Sequence, residues 1–254
     1  MDSVDPVTSL PFAGPLHFLW GVSAAVAIFF FTVFWGLLCI VLTLVTRKAW
    51  PPDVIGWIWC RWILAVCGIE VELEGAEHID PSRSYVIISN HLSNFDIWAT
   101  FGVVPAKIRF VAKKELLRFP IFGQALALSD HIIIDRSRPE QAVDIINRQA
   151  SERIGEGFCI LFYAEGTRSR DGKVHDFKKG GTTLALKTGL PIIPMSVSGT
   201  RKFLPRGSAI IRPGGRVKIV LAAPIETKGL PLEARDELTE QVRSIVIRNF
   251  IEDY

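Results

Sequence analysis

Tyr85-Val86-Ile87-Ile88-Ser89-Asn90-His91-Leu92-Ser93-Asn94-Phe95-Asp96-Ile97-Trp98 sets the reading of the whole chain. The apolar run Tyr85–Ile88 reads as a buried strand, and Ile97, Trp98 and Phe101 read as one side of a helix. Asn90–Asp96 therefore sits where a strand hands over to a helix. There the first helical amides lack intrahelical partners and the helix dipole presents its positive end. A histidine at such a place can act on a bound alcohol, and a carboxylate in the first helical turn can hold its ring. Ser93 to Asp96 also fits a capping box, with Ser93 as N-cap and Asp96 three residues on. Taken alone, the stretch leaves capping and catalysis both open.

Outward from this stretch, strands and helices alternate. Val71–Glu74, Lys107–Ala112, Ile132–Ile134, Phe158–Tyr163 and Pro191–Val197 read as strands. Pro139 to about Ile154, Thr182–Lys187 with Gly189 as C-cap, and Leu232 to about Phe250 read as helices. Ile210-Ile211 and Val217–Leu221 flank Arg212-Pro213-Gly214-Gly215-Arg216, which reads as a hairpin turn. Such alternation predicts an α/β fold, with a mixed, mostly parallel sheet flanked by helices.

The chain has 254 residues and a formal net charge of +3, which excludes a strongly basic nucleic-acid binder. Its mean hydropathy of +0.29 is high for a purely soluble protein. The excess lies at the N-terminus, where Leu16 to Val45 holds no Asp, Glu, Lys or Arg. About 20 apolar residues suffice to cross a bilayer core, and Gly21 and Gly36 offer places to bend. A cleavable signal peptide is not expected, because Asp2 and Asp5 stand where positive charge belongs and the run is too long. After Arg47, Lys48 and Trp50-Pro51-Pro52 comes a second apolar run, Val54–Ile69, with Trp57, Trp59 and Trp62. It reads as a helix lying in the membrane interface. Either the first helix spans or the two helices dip into one leaflet as a hairpin. Both put the rest of the chain on the cytoplasmic side, by the positive charges after the first run. The expected division is residues 1–70 as membrane-anchoring helices and 71–254 as the α/β domain. Cys39, Cys60, Cys67 and Cys159 form no CxxC pair and read as buried reduced thiols rather than a zinc site or a disulfide framework.

Three polar clusters fall at the ends of predicted strands: Asn90–Asp96, Asp135–Arg138 and Glu165–Ser169. In open α/β sheets, ligands bind beyond the carboxyl ends of the strands. Together the clusters supply a base, carboxylates, and guanidinium groups suited to phosphate. Their order, Asn-His-x-Ser-x-x-Asp, then Ile134-Asp135-Arg136, then Glu165-Gly166-Thr167-Arg168-Ser169, then Leu190-Pro191-Ile192-Ile193-Pro194, resembles the glycerolipid acyltransferases. Within them it is most similar to the 1-acylglycerol-3-phosphate acyltransferases. Lys113-Lys114-Glu115-Leu116 and Phe177-Lys178-Lys179-Gly180 also look like family segments. One departure is Ala164, where the family commonly has proline, and a looser loop is expected there.

The resemblance implies His91 as general base and Asp96 as its orienter, acting on a hydroxyl that belongs to the substrate. It implies Arg168 as the main grip on the acceptor's phosphate, with Lys113 and Arg136 as further cations and Glu165, Gly166 and Thr167 shaping the loop. The implied reaction moves an acyl chain from an acyl thioester, on coenzyme A or acyl carrier protein, to a lysophosphatidate, giving phosphatidate. Another lysolipid acceptor, or a silent lipid-binding protein of the same fold, is the alternative. No cofactor or metal is expected, since no ligand cluster calls for one, and the sequence does not fix the oligomeric state. No Gly-x-Ser-x-Gly elbow is present, which disfavours a lipase or thioesterase. The expected location is a bacterial inner membrane, with the catalytic domain facing the cytoplasm.

Overall fold

The computed structural model describes residues 14–135, 137, 145–146, 148–149, 157–208 and 210–254. The expected helix from Pro139 lies almost wholly outside these residues, as do Arg136 and Arg138. The sheet has seven strands: β1 (Ile69–Glu74), β2 (Tyr85–Ser89), β3 (Lys107–Lys113), β4 (Ile132–Ile134), β5 (Phe158–Tyr163), β6 (Ile192–Ser198) and β7 (Gly215–Leu221). Their order is β1-β7-β6-β2-β5-β3-β4. All neighbours pair parallel except β6 and β7. The mixed, mostly parallel sheet is as expected. Strands β2 to β6 run the same way, so the segments that follow them gather along one edge.

The central strand β2 is buried on both sides, as strands of parallel sheets are. Tyr85 and Ile87 face one apolar layer, and Val86 and Ile88 face the other. Helices α1 (Pro15–Thr46), α2 (Trp50–Val66) and α3 (Phe95–Val103) cover the first layer. On the second layer lie α5 (Gly180–Thr188) and α6 (Arg235–Asn249), while the short α4 (Phe122–Ala127) packs against α1. The four cysteines are all buried free thiols, and burial pushes Cys159 up to about 12.

Helix α1 is long and apolar enough to cross a membrane by length and composition. It is one unbroken helix, so Gly21 and Gly36 are not hinges. They are places of close approach: a Cβ on Gly21 would lie 2.2 Å from the Ile211 carbonyl oxygen, and one on Gly36 would lie 2.7 Å from the Ile121 side chain. These contacts are about 22 Å apart along the helix, at 1.5 Å per residue. Between them, Trp59 Nε1 of α2 donates to Thr32 Oγ1 at 3.1 Å. The side of α1 that faces away carries Phe29, Phe30, Phe34 and Val41, all exposed.

The anticipated hairpin at 210–221 does not form. Ile210 and Ile211 belong to no strand, and Gly214 N–H donates to Cys67 O at 2.7 Å. β7 instead pairs with β1 and β6, because pairing in the body of the sheet satisfies more backbone groups than a two-stranded ribbon.

Arg109 on β3 is 1% exposed and reaches across to α2. It makes a two-pronged ion pair with Asp53, at 2.7 and 3.1 Å, and lies 4.2 Å from the Phe158 ring centroid. Asp53→Ala strands that buried guanidinium, and is expected to cost about 3–5 kcal/mol of stability. Denaturation curves in detergent measure it, and a loss under about 1 kcal/mol would show that the pair is dispensable.

Candidate active site

The chain after β2 folds back so that His91 and Asp96 meet. His91 Nδ1 lies 2.6 Å from Asp96 Oδ2. The same oxygen accepts the Leu92 N–H at 2.7 Å and the Ser93 N–H at 2.9 Å. Capping and ring-holding thus coexist. Asp96 takes the Ser93 amide as a capping box would, and it also takes the imidazole. The Ser93 hydroxyl donates to Leu204 O at 2.8 Å and accepts the Phe95 N–H at 3.3 Å, where the helix begins. Asp96 is fully buried, while the His91 side chain is 14% exposed. With Nδ1 taken by the carboxylate, Nε2 is the nitrogen left for an incoming hydroxyl.

The loop after β5 packs against this turn. Glu165 is buried, and its carboxylate points inward: Oε1 accepts the His91 N–H at 2.9 Å and Oε2 the His175 N–H at 3.3 Å. Ser169 N–H donates to His91 O at 2.7 Å, so both backbone polar groups of the histidine are held by this one loop. Ala164 does not loosen it. Its N–H donates to Ser89 O at 2.9 Å, a bond that proline could not make, which extends the β2–β5 ladder by one residue. Tyr163 at the end of β5 stacks on the imidazole, with centroids 4.2 Å apart and planes 16° apart. Burial of its hydroxyl, then the Asp96 charge, pushes the phenol well above its usual pKa, so it stays neutral beside the histidine.

Burial raises the Glu165 pKa above the ordinary carboxylate value, and the N–H bonds from His91 and His175 pull it partly back. A carboxyl that takes a proton more readily folded than unfolded makes the fold less stable as pH rises between the two values. Denaturation across that interval is expected to show this decline in the wild type and a flatter profile in Glu165→Gln. Equal slopes in both would assign the dependence to another group.

The other expected site residues that are described lie along the same edge. Arg168, half-buried, adjoins Ser169, and its carbonyl accepts from Arg206 Nη1 at 2.8 Å. Thr167 is exposed. Gly166 has φ +73°, and a Cβ there would lie 2.9 Å from Lys178 Nζ, so the ammonium of the Phe177–Gly180 segment sits over this loop. Lys113 ends β3, separated from β2 by β5, and is exposed. Next to it, Lys114 pairs with Asp135, and its hydrogen bond, followed by those of Ser137, holds that carboxyl below the usual range. Arg136 lies outside the described residues.

Sequence reasoning missed the segment that closes the site from the other side. Asn90 Nδ2 donates to Val197 O and its Oδ1 accepts the Val197 N–H, both at 2.9 Å. Thr200 Oγ1 donates to Asp96 Oδ1. Ser198-Gly199-Thr200-Arg201-Lys202 is a fourth polar cluster at the end of a predicted strand, the same signal that marked the other three.

Known proteins resemble this chain in sequence and in fold. A family model described as acyltransferase matches residues 70–198. A 1-acyl-sn-glycerol-3-phosphate acyltransferase of Limnanthes douglasii is 31% identical over 223 residues, covering 85% of this chain and 76% of its own. The mouse (Mus musculus) 1-acyl-sn-glycerol-3-phosphate acyltransferase alpha is 32% identical over 185 residues, covering 73% of this chain and 65% of its own. The crystal structure of the 1-acyl-sn-glycerophosphate acyltransferase PlsC from Thermotoga maritima superposes with a TM-score of 0.78 at 25% identity, over 92% of this chain and 95% of that one. By its sequence blocks, its sheet and these relatives, the chain belongs to the acyltransferase family.

Proposed function

We propose that this protein is a membrane-bound 1-acylglycerol-3-phosphate O-acyltransferase. It transfers an acyl chain from an acyl thioester, on coenzyme A or acyl carrier protein, to the sn-2 hydroxyl of a lysophosphatidate. The observation that carries the reading is the imidazole held by a buried carboxylate at 2.6 Å, on the sheet edge that also bears the Arg168 loop. His91 Nε2 takes the hydroxyl proton as the oxygen attacks the thioester carbon. Asp96 stabilises the imidazolium so formed. The carbon–sulfur bond breaks, an ester bond forms, and the proton passes from the imidazolium to the leaving thiolate. No acyl-enzyme is needed. Arg168, with Lys113 and Arg136, grips the acceptor's phosphate. Gly166 and Thr167 shape the loop between, while Glu165 shapes it from within.

Residues up to about 70 serve as the anchor and the remainder as the catalytic domain, on the cytoplasmic side. The two contacts of α1, at Gly21 and Gly36, favour a hairpin lying along one leaflet over a spanning helix. A helix fastened to its own domain over that length presents its outer apolar side to lipid, as interfacial helices do. A lysolipid then reaches the site without its chain crossing water, where each exposed CH₂ costs about 0.8 kcal/mol.

The test is an acyl-transfer assay with the full chain in vesicles, using lysophosphatidate, other lysolipids and both thioester donors. Phosphatidate is the expected product. Faster turnover of another lysolipid would reassign the acceptor, and lipid binding without product under either donor would reject the enzyme reading. In the same assay Arg168→Ala is expected to raise the acceptor KM roughly 10- to 100-fold, the worth of charge-assisted hydrogen bonds, with little change in kcat. An unchanged KM would remove Arg168 from the phosphate site.

A further inference from the structure

The carboxylate of Asp96 is loaded unequally. Oδ2 receives the imidazole and two backbone amides. On Oδ1, among the described residues, the hydrogen-bond donor is Thr200. Both side chains are fully buried, at 0% exposure, so no solvent can substitute for that hydroxyl. Aspartate's terminal torsion is broad and roughly two-fold. A donor on Oδ1 therefore fixes the carboxylate plane, and with it the direction of Oδ2 toward the ring.

The chain is built to deliver this hydroxyl. β6 ends at Ser198, and Gly199 turns with φ +89°, where a Cβ would lie 2.7 Å from Arg216 O. The segment is tied to the catalytic turn on both sides of Thr200, through Asn90 to Val197 and through Ser93 to Leu204. Thr200 also lies beyond the stretch that the family model matches.

We propose that Thr200 is a positioning residue for acyl transfer, acting through Asp96 on His91. The proposal rests on the reading of His91 and Asp96 as base and orienter, so His91→Ala is assayed beside it as a separate control. With the full chain in vesicles, lysophosphatidate and an acyl-CoA, the near-isosteric Thr200→Val is expected to lower kcat about 10- to 100-fold, the effect of one hydrogen bond to a charged group. Both KM values should stay within about twofold, and Thr200→Ser should restore kcat to within about threefold. In an Asp96→Ala background, which leaves Thr200 no side chain to orient, Thr200→Val should change residual turnover less than about threefold. A structural role alone would not give this split. Folded Thr200→Val with kcat within twofold of wild type, a full loss repeated in the Asp96→Ala background, or Thr200→Ser as poor as Val would overturn the proposal. If Val prevents folding, Thr200→Ser against Thr200→Cys asks the same question, because a thiol is a weak donor. Equal turnover in those two overturns it as well. An active His91→Ala would instead reject the reading of the base, whatever Thr200 does.

Discussion

His91→Ala is expected to lower kcat about 10²- to 10⁴-fold, the range spanned by a positioned general base, while leaving the protein folded. The second half follows from how this residue is held. Its contributions to the fold are made by the backbone: the N–H to Glu165 at 2.9 Å and the carbonyl from Ser169 at 2.7 Å. Alanine keeps both. The side chain's own contacts are Asp96 and the face of Tyr163, and its loss opens a partly solvated space rather than a sealed cavity. Turnover with lysophosphatidate and a thioester, together with a melting curve on the same preparation, measures both halves. Near-normal kcat in a folded variant would mean that another group takes the proton.

Asp96 is expected to divide into two effects that two substitutions separate. In Asp96→Asn the amide oxygen stays on the Oδ2 side, because the opposite orientation would set its NH₂ against three N–H donors. The Leu92 and Ser93 amides keep their acceptor, and the Thr200 hydroxyl can turn to accept from the amide. The protein folds and the ring keeps its tautomer. What disappears is the negative charge beside the imidazolium, a loss of about 10- to 10³-fold in kcat by the usual effect of a neighbouring opposite charge. Asp96→Ala loses that and also leaves two amides and a hydroxyl without a partner in a dry site, at about 1–3 kcal/mol each. It is expected to unfold at lower denaturant as well as to lose turnover. Measured midpoints decide the matter: equal stability of the two variants would mean that the carboxylate does not organise the turn.

Spacing made part of this site legible in one dimension. His91 and Asp96 are five residues apart, and a strand-to-helix turn brings such residues together by local geometry alone. The Glu165–Ser169 loop was legible for a related reason, as a polar cluster directly after an apolar strand. The partners of these groups were not. Asn90 and Val197 are 107 residues apart, and Thr200 and Asp96 are 104 apart. No periodicity relates them. They meet because β6, β2 and β5 are neighbours in the sheet, and strand order is settled by crossovers rather than by any strand's own pattern.

Alternating apolar runs, a charge-free helix of bilayer length and a histidine placed before a helical carboxylate are local properties. The sequence by itself therefore determined the α/β class, the apolar N-terminal helices and the pairing of His91 with Asp96. Other features depend on which distant surfaces fit together, and only the tertiary structure decided them. It turned Glu165 inward onto the histidine's own backbone, drew Arg109 across to Asp53, laid α1 along its domain and brought the Thr200 hydroxyl to Asp96. The physical reason is the same in each case: a buried polar group needs a partner, and which partner it finds is set by packing.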